Sequence, residues 1–135
     1  MGQAFRSAAT GHPAYSQTLP CTGESARRAR LLVGAACAVW QLSQVADVAA
    51  LVVSELLANA VRHSGGRRVR VTVSRPQRRV VRVAVADACR VLPVPRAAGE
   101  GDEGGRGLAL VEAVCLRWGV EPLPCGKRVW AEVRG

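Results

Sequence analysis

Lysine is almost absent from this 135-residue chain: Lys127 is the only one among nineteen basic residues. The positive charge is therefore carried by guanidinium groups, which stay protonated at any physiological pH and bind carboxylate or phosphate in a fixed fork. Acidic residues are scarce too, ten in all, and the formal net charge is +9. That balance favours anionic partners without choosing among nucleotides, nucleic acid and acidic proteins. Aromatic residues make up only 4%, which argues against a stacking platform for single-stranded bases. The five cysteines, Cys21, Cys37, Cys89, Cys115 and Cys125, form no CxxC pair and have no metal-site spacing to histidine, so reduced thiols are expected. No uninterrupted apolar run reaches the length of a membrane span, and residues 1–18 hold no apolar segment of the signal-peptide kind. A cytoplasmic protein without membrane contact is expected.

With 49% apolar residues, the chain is long enough for one hydrophobic core. Residues 1–16 lack periodicity and read as a flexible leader; residues 17–135 read as a single domain. A short strand is expected around Tyr15 to Leu19. Thr22 is placed to cap a helix in which Ala29, Leu32, Val33, Ala36 and Trp40 recur at helical spacing. Arg27, Arg28 and Arg30 near its start oppose the helix dipole and call for partners outside the helix. Ser43 can cap a second helix that ends near His63, before the glycines of Ser64-Gly65-Gly66. Val69, Val71 and Val73, then Val81, Val83 and Val85, alternate with polar or small residues around an Arg75-Pro76-Gln77 turn, the pattern of an antiparallel hairpin. Residues 88–106 carry prolines and glycines and read as a long loop. A third helix from Gly107 to Trp118 and two strands, Gly119 to Leu123 and Val129 to Val133, complete the chain. The order β-α-α-β-β-loop-α-β-β implies an α+β fold: a two-layer sandwich with a mainly antiparallel sheet and helices on one face.

The second helix carries polar groups where an amphipathic helix should be greasy. At about 100° per residue, Val45, Val48, Val52 and Leu56 form a stripe that also holds Asn59 and His63, with Glu55 at its edge. Singly, each has an ordinary explanation: a satisfied buried amide, a solvated edge carboxylate, a histidine favoured by the helix C-terminus. Together, a carboxylate one turn from an amide can orient a hydroxyl or water and offer oxygen ligands to a hard cation. Two further features stand downstream. Gly104-Gly105-Arg106-Gly107-Leu108 opens the third helix, where unpaired N–H groups attract phosphate, although a flexible glycine loop is an equally simple reading. Asp87 ends a strand, as a turn former or as an acceptor for an exocyclic amine.

In combination these residues resemble the GHKL, or Bergerat-fold, ATPase superfamily, which includes gyrase and the bacterial histidine kinases. Within it the nearest likeness is to the small serine/threonine kinases that act as anti-sigma factors. Glu55 to His63 look like the N-box, Asp87 like the aspartate of the first nucleotide box, and Gly105-Arg106-Gly107-Leu108 like the second glycine box. Gly126-Lys127-Arg128-Val129-Trp130 looks like the family's closing strand. The resemblance runs from Leu19 to Val133. It implies ATP and Mg²⁺ as cofactors, with Asn59 as the magnesium ligand and Glu55 as general base. Asp87 would hold the adenine amino group. Gly105, Arg106, Gly107 and Leu108 would lie at the phosphates, with His63 a further residue at that end. The first nucleotide box departs from the superfamily pattern, D-x-G-x-G: Asp87-Ala88-Cys89-Arg90-Val91 lacks both glycines that follow the aspartate.

The activity implied is transfer of the γ-phosphoryl group of ATP to a serine or threonine of a STAS-type anti-anti-sigma protein, with sequestration of an RNA polymerase sigma factor as the second role. Members of this branch are homodimers. The missing glycines leave an alternative, a non-catalytic regulator that keeps the fold and acts by protein binding. Direct nucleic-acid binding ranks last, because the arginine clusters read as solvated runs without a recognition motif.

Overall fold

The computed structural model describes residues 3–7, 12–63, 67–87 and 109–135. Six strands, β1 (Gln3–Ser7), β2 (Pro13–Pro20), β3 (Arg68–Gln77), β4 (Val80–Asp87), β5 (Arg117–Pro122) and β6 (Lys127–Arg134), form one sheet in the order β1-β2-β3-β4-β6-β5. Every neighbouring pair is antiparallel. Helices α1 (Ala26–Val39) and α2 (Ala46–His63) are joined to what precedes them by single 3₁₀ turns, Gly23–Ser25 and Ser43–Val45. A short α3 covers residues 109–114. The fold is α+β, as its sequence pattern implies.

Side-chain alternation decides which face of the sheet is dry. Val69, Val71 and Val73 of β3, Val81, Val83 and Val85 of β4, and Val129, Ala131 and Val133 of β6 are all buried, and the register sets them in cross-strand rows such as Val71–Val85–Val129. The helices lie over this face, α1 on β2 and β3 and α2 on β4 and β6. On α1 the buried residues are Ala29, Leu32, Val33, Ala36 and Cys37. On α2 they are Ala49, Val52, Val53, Leu56, Leu57, Asn59 and Ala60. Each large aliphatic side chain so buried contributes about 1.5–3 kcal/mol.

The elements differ from the sequence reading at several points. Residues 1–16 are not simply a leader, since Gln3–Ser7 pairs with the start of β2 from Ser7↔Pro13 to Gln3↔Gln17. Strand pairing is carried by main-chain hydrogen bonds, so a segment without apolar alternation can join a sheet edge. Thr22 and Ser43 do not cap: neither 3₁₀ turn has a side-chain cap hydrogen bond. Instead the Ser25 hydroxyl donates to the Pro20 carbonyl at 2.7 Å and pins the start of α1 to the end of β2. The apolar stripe of α2 is rotated from the expected one. Val48 is 37% exposed while Ala49 and Val53 are fully buried, because the helix packs on the sheet beneath it and on α1 beside it and must cover both.

The third helix also ends earlier than expected. Cys115 N–H still donates to Val111, but Leu116 N–H already donates to the Glu132 carbonyl, and Trp118 sits in β5 opposite Ala131. Trp118 reaches the core from the sheet. Finally, Ser43–His63 is long and apolar enough, by length and composition, to cross a membrane, although no uninterrupted run was expected to be. Here its apolar side is packed against sheet and α1.

Candidate functional site

α2 separates its polar residues by flank. Ser54 faces α1, where it accepts a 3.3 Å hydrogen bond from Arg30 Nη1. Relative to Ser54, Glu55, Asn59 and His63 are turned by about 100°, 140° and 180°, so they occupy the flank away from α1. Glu55 and His63 are half-buried and Asn59 is 5% exposed. Burying an amide without a partner costs on the order of 1–3 kcal/mol. Among the described residues no hydrogen bond reaches the Asn59 amide, yet no side-chain nitrogen or oxygen is both fully enclosed and unpartnered. The amide stands on the flank that it shares with Glu55.

Asp87 is the last residue of β4 and has the same alternation parity as Val81, Val83 and Val85, which places its side chain on the helix-bearing face. It stands opposite Val69 near the start of β3. His63 ends α2 and Arg68 begins β3, so five residue steps, about 17 Å at full extension, connect the C-terminus of α2 to this end of the sheet. Asn59, His63 and Asp87 therefore belong to one end of the molecule.

The turn between β5 and β6 holds the Asp87 carboxylate. Lys127 N–H donates to Asp87 Oδ2 across a long 3.4 Å. Gly126, at φ +87°, sits so close that a Cβ there would lie 2.5 Å from Asp87 Cβ and 2.7 Å from Oδ2. Only glycine satisfies both demands, the left-handed backbone and the close approach. Cys21 completes the surroundings: its thiol pKa is raised, first by burial and then by the negative charge of Asp87. The sequence places Gly126 and Lys127 in a closing-strand motif but does not connect them with Asp87; that relation needs the register of β4 on β6. Gly105, Arg106, Gly107 and Leu108 lie outside the described residues.

The site joins an amide and a carboxylate one turn apart to a second carboxylate clamped at a strand end. Among the described residues no cluster of three His, Cys, Asp or Glu side chains could hold a metal by itself. A Mg²⁺ ion fits this donor set only as magnesium usually binds nucleotides, through one protein oxygen, the phosphates and water; the Asn59 amide can supply that oxygen.

The histidine kinase-like ATPase domain family matches residues 19–130, a span that includes both halves of the site. The chain belongs to that family, within the GHKL superfamily, and is by that membership an ATP-binding regulatory domain. Among curated proteins no match was found.

Proposed function

We propose that this protein is a cytoplasmic, ATP-dependent serine/threonine kinase of the anti-sigma type. It would phosphorylate a STAS-type anti-anti-sigma protein and sequester a sigma factor, working as a homodimer built on a single domain. What supports the reading is that Glu55 and Asn59 share the flank of α2 away from α1, and that the C-terminal turn of that helix runs toward the end of the sheet where Asp87 is held. Mg²⁺ bound with ATP would neutralise charge on the phosphates as the γ-phosphoryl group moves. The residues of the chain have distinct tasks around it. The Asn59 amide oxygen would hold the metal. Glu55, one turn earlier, would accept the proton of the substrate hydroxyl. Asp87, fixed by Lys127 N–H and by contact with Gly126, would accept the adenine amino group. Backbone amides at Gly105 and Gly107, with the Arg106 guanidinium, Leu108 alongside and His63 from α2, would form the phosphate end.

The test is phosphotransfer from labelled Mg-ATP to a cognate STAS protein. Label should appear on serine or threonine and be lost in Glu55→Ala; transfer that survives that change removes Glu55 as base. The second reading, a regulator that binds partners without catalysis, is favoured by one feature: the first nucleotide box lacks its glycines. The residues at the glycine positions of that box are Cys89 and Val91, and this reading predicts weak nucleotide binding and no transfer.

A further inference from the structure

The fold gathers arginines that are scattered in sequence. At the end of the sheet away from Asp87, about 23 Å along β4, Arg78 and Arg79 form the β3–β4 turn, with Arg75 just before it. The Arg75 guanidinium donates to the Arg78 carbonyl at 3.2 Å and braces that turn. Arg134 of β6 stands opposite Val80, and the cross-strand row two residues in reads Ser74, Arg82, Glu132, Arg117. Arg82, Arg117 and Arg134 share the alternation parity of the helix-free face. Among the described residues, six arginines thus share these strand ends with one carboxylate, Glu132, which pairs with Arg82 and Arg117.

Glu132 is already committed. It is 3% exposed, held by Arg117 Nε at 2.7 Å and by Arg82 at 3.8 Å. Arg82 also lies over the Trp130 ring, 4.3 Å from its centroid, and that ring rests on Gly119. Arg78, Arg79 and Arg134 are exposed, and none of the ion pairs among the described residues includes them. The patch extends across β3, β4, β6 and β5, three strand spacings or about 14 Å.

We infer that this basic end of the helix-free face binds the phosphate backbone of duplex nucleic acid. Three observations select that partner. The excess charge is wholly guanidinium, the group whose fork matches phosphate. An acidic protein would need apolar anchors as well, but the large exposed apolar residues, Leu31, Val39, Val48, Leu51, Val61, Leu110, Val114, Leu116 and Val120, lie on the helices, on the connection into β5, or with the helix-facing parity of β5. A single strand would need free aromatic faces, and Trp130 is enclosed by Arg82 and Gly119. As solvated runs along the sequence these arginines carry no such implication; brought together, with one carboxylate to six among the described residues, they do.

The test is fluorescence anisotropy of a labelled 20-base-pair DNA duplex with the full chain, between 50 and 200 mM salt. Binding should fall with salt at a log–log slope of about 3 to 5, since each phosphate contact contributes about 0.9. Arg78→Ala/Arg79→Ala/Arg134→Ala should weaken binding at least tenfold and reduce the slope by 2 to 3, with Mg-ATP binding and thermal midpoint unchanged. Four results would overturn the proposal: no binding at 50 mM salt, binding indifferent to the triple substitution, tighter binding to a single strand of equal length, or tighter binding to polyglutamate. Loss of binding on replacing Arg27, Arg28 and Arg30 instead would place the footprint on α1 and overturn it equally.

Discussion

Asp87 and Gly126 are separated by 39 positions in sequence, yet they touch so closely that no side chain fits between them: a Cβ on Gly126 would lie 2.5 Å from that of Asp87. The turn between β5 and β6 therefore also fixes the carboxylate proposed to accept from the adenine amino group. Gly126→Ala should cost about 1–3 kcal/mol of stability through its φ of +87° alone, and should weaken ATP binding at least tenfold by displacing Asp87. Lys127→Ala keeps the main-chain N–H and should retain the affinity. Denaturant unfolding and calorimetry on the two variants separate these effects.

The thiol of Cys21 reports on the same carboxylate. Burial and the charge of Asp87 both raise its pKa; removing the charge lowers it, so more thiolate is present at any pH below the pKa. Asp87→Asn should speed alkylation of Cys21 by iodoacetamide at pH 8, and mass spectrometry can read the rate at that residue. Cys115, whose thiol burial pushes up to about 11, should stay slow in both proteins.

The rotation of α2 is measurable. Leu56→Ala, at a fully buried position, should destabilise by about 2–5 kcal/mol. Val48→Ala, at 37% exposure, should change stability by no more than about 0.5 kcal/mol. Equal losses would restore the stripe that periodicity alone suggests.

Much of this architecture is legible in the sequence, for a physical reason. Valines alternating on β3, β4 and β6, and small apolar residues recurring on α1, follow the two backbone periods directly, so fold class and element order emerge from them. What periodicity misses is set by partners distant in sequence. Val48 and Ala49 are both apolar, and only the position of α1 decides which is buried. Trp118 fits the end of a helix as well as the start of a strand until Leu116 N–H finds Glu132. At the site, Glu55, Asn59 and Asp87 stand out as polar groups in apolar surroundings, whereas Gly126 is silent until β6 is laid against β4.

The end of α1 offers a gain in stability. Gln41 has φ +59°, and Leu42 N–H reaches back to the Cys37 carbonyl at 2.8 Å, a helix stop in which the left-handed position usually belongs to glycine. Relief of that strain exceeds the added flexibility of the unfolded chain. Gln41→Gly should raise stability by about 0.5–1 kcal/mol, read as an upward shift of the denaturant midpoint without change of slope.

If the Glu55–Asn59 flank of α2 and the clamped Asp87 form one Mg-ATP pocket, calorimetry reads it. ATP with Mg²⁺ should bind the unaltered protein; Asp87→Asn should remove most of the affinity for ATP, and Asn59→Ala should remove the part that depends on Mg²⁺. An unaltered protein that binds no ATP, or binding that survives both substitutions at full strength, would contradict the account.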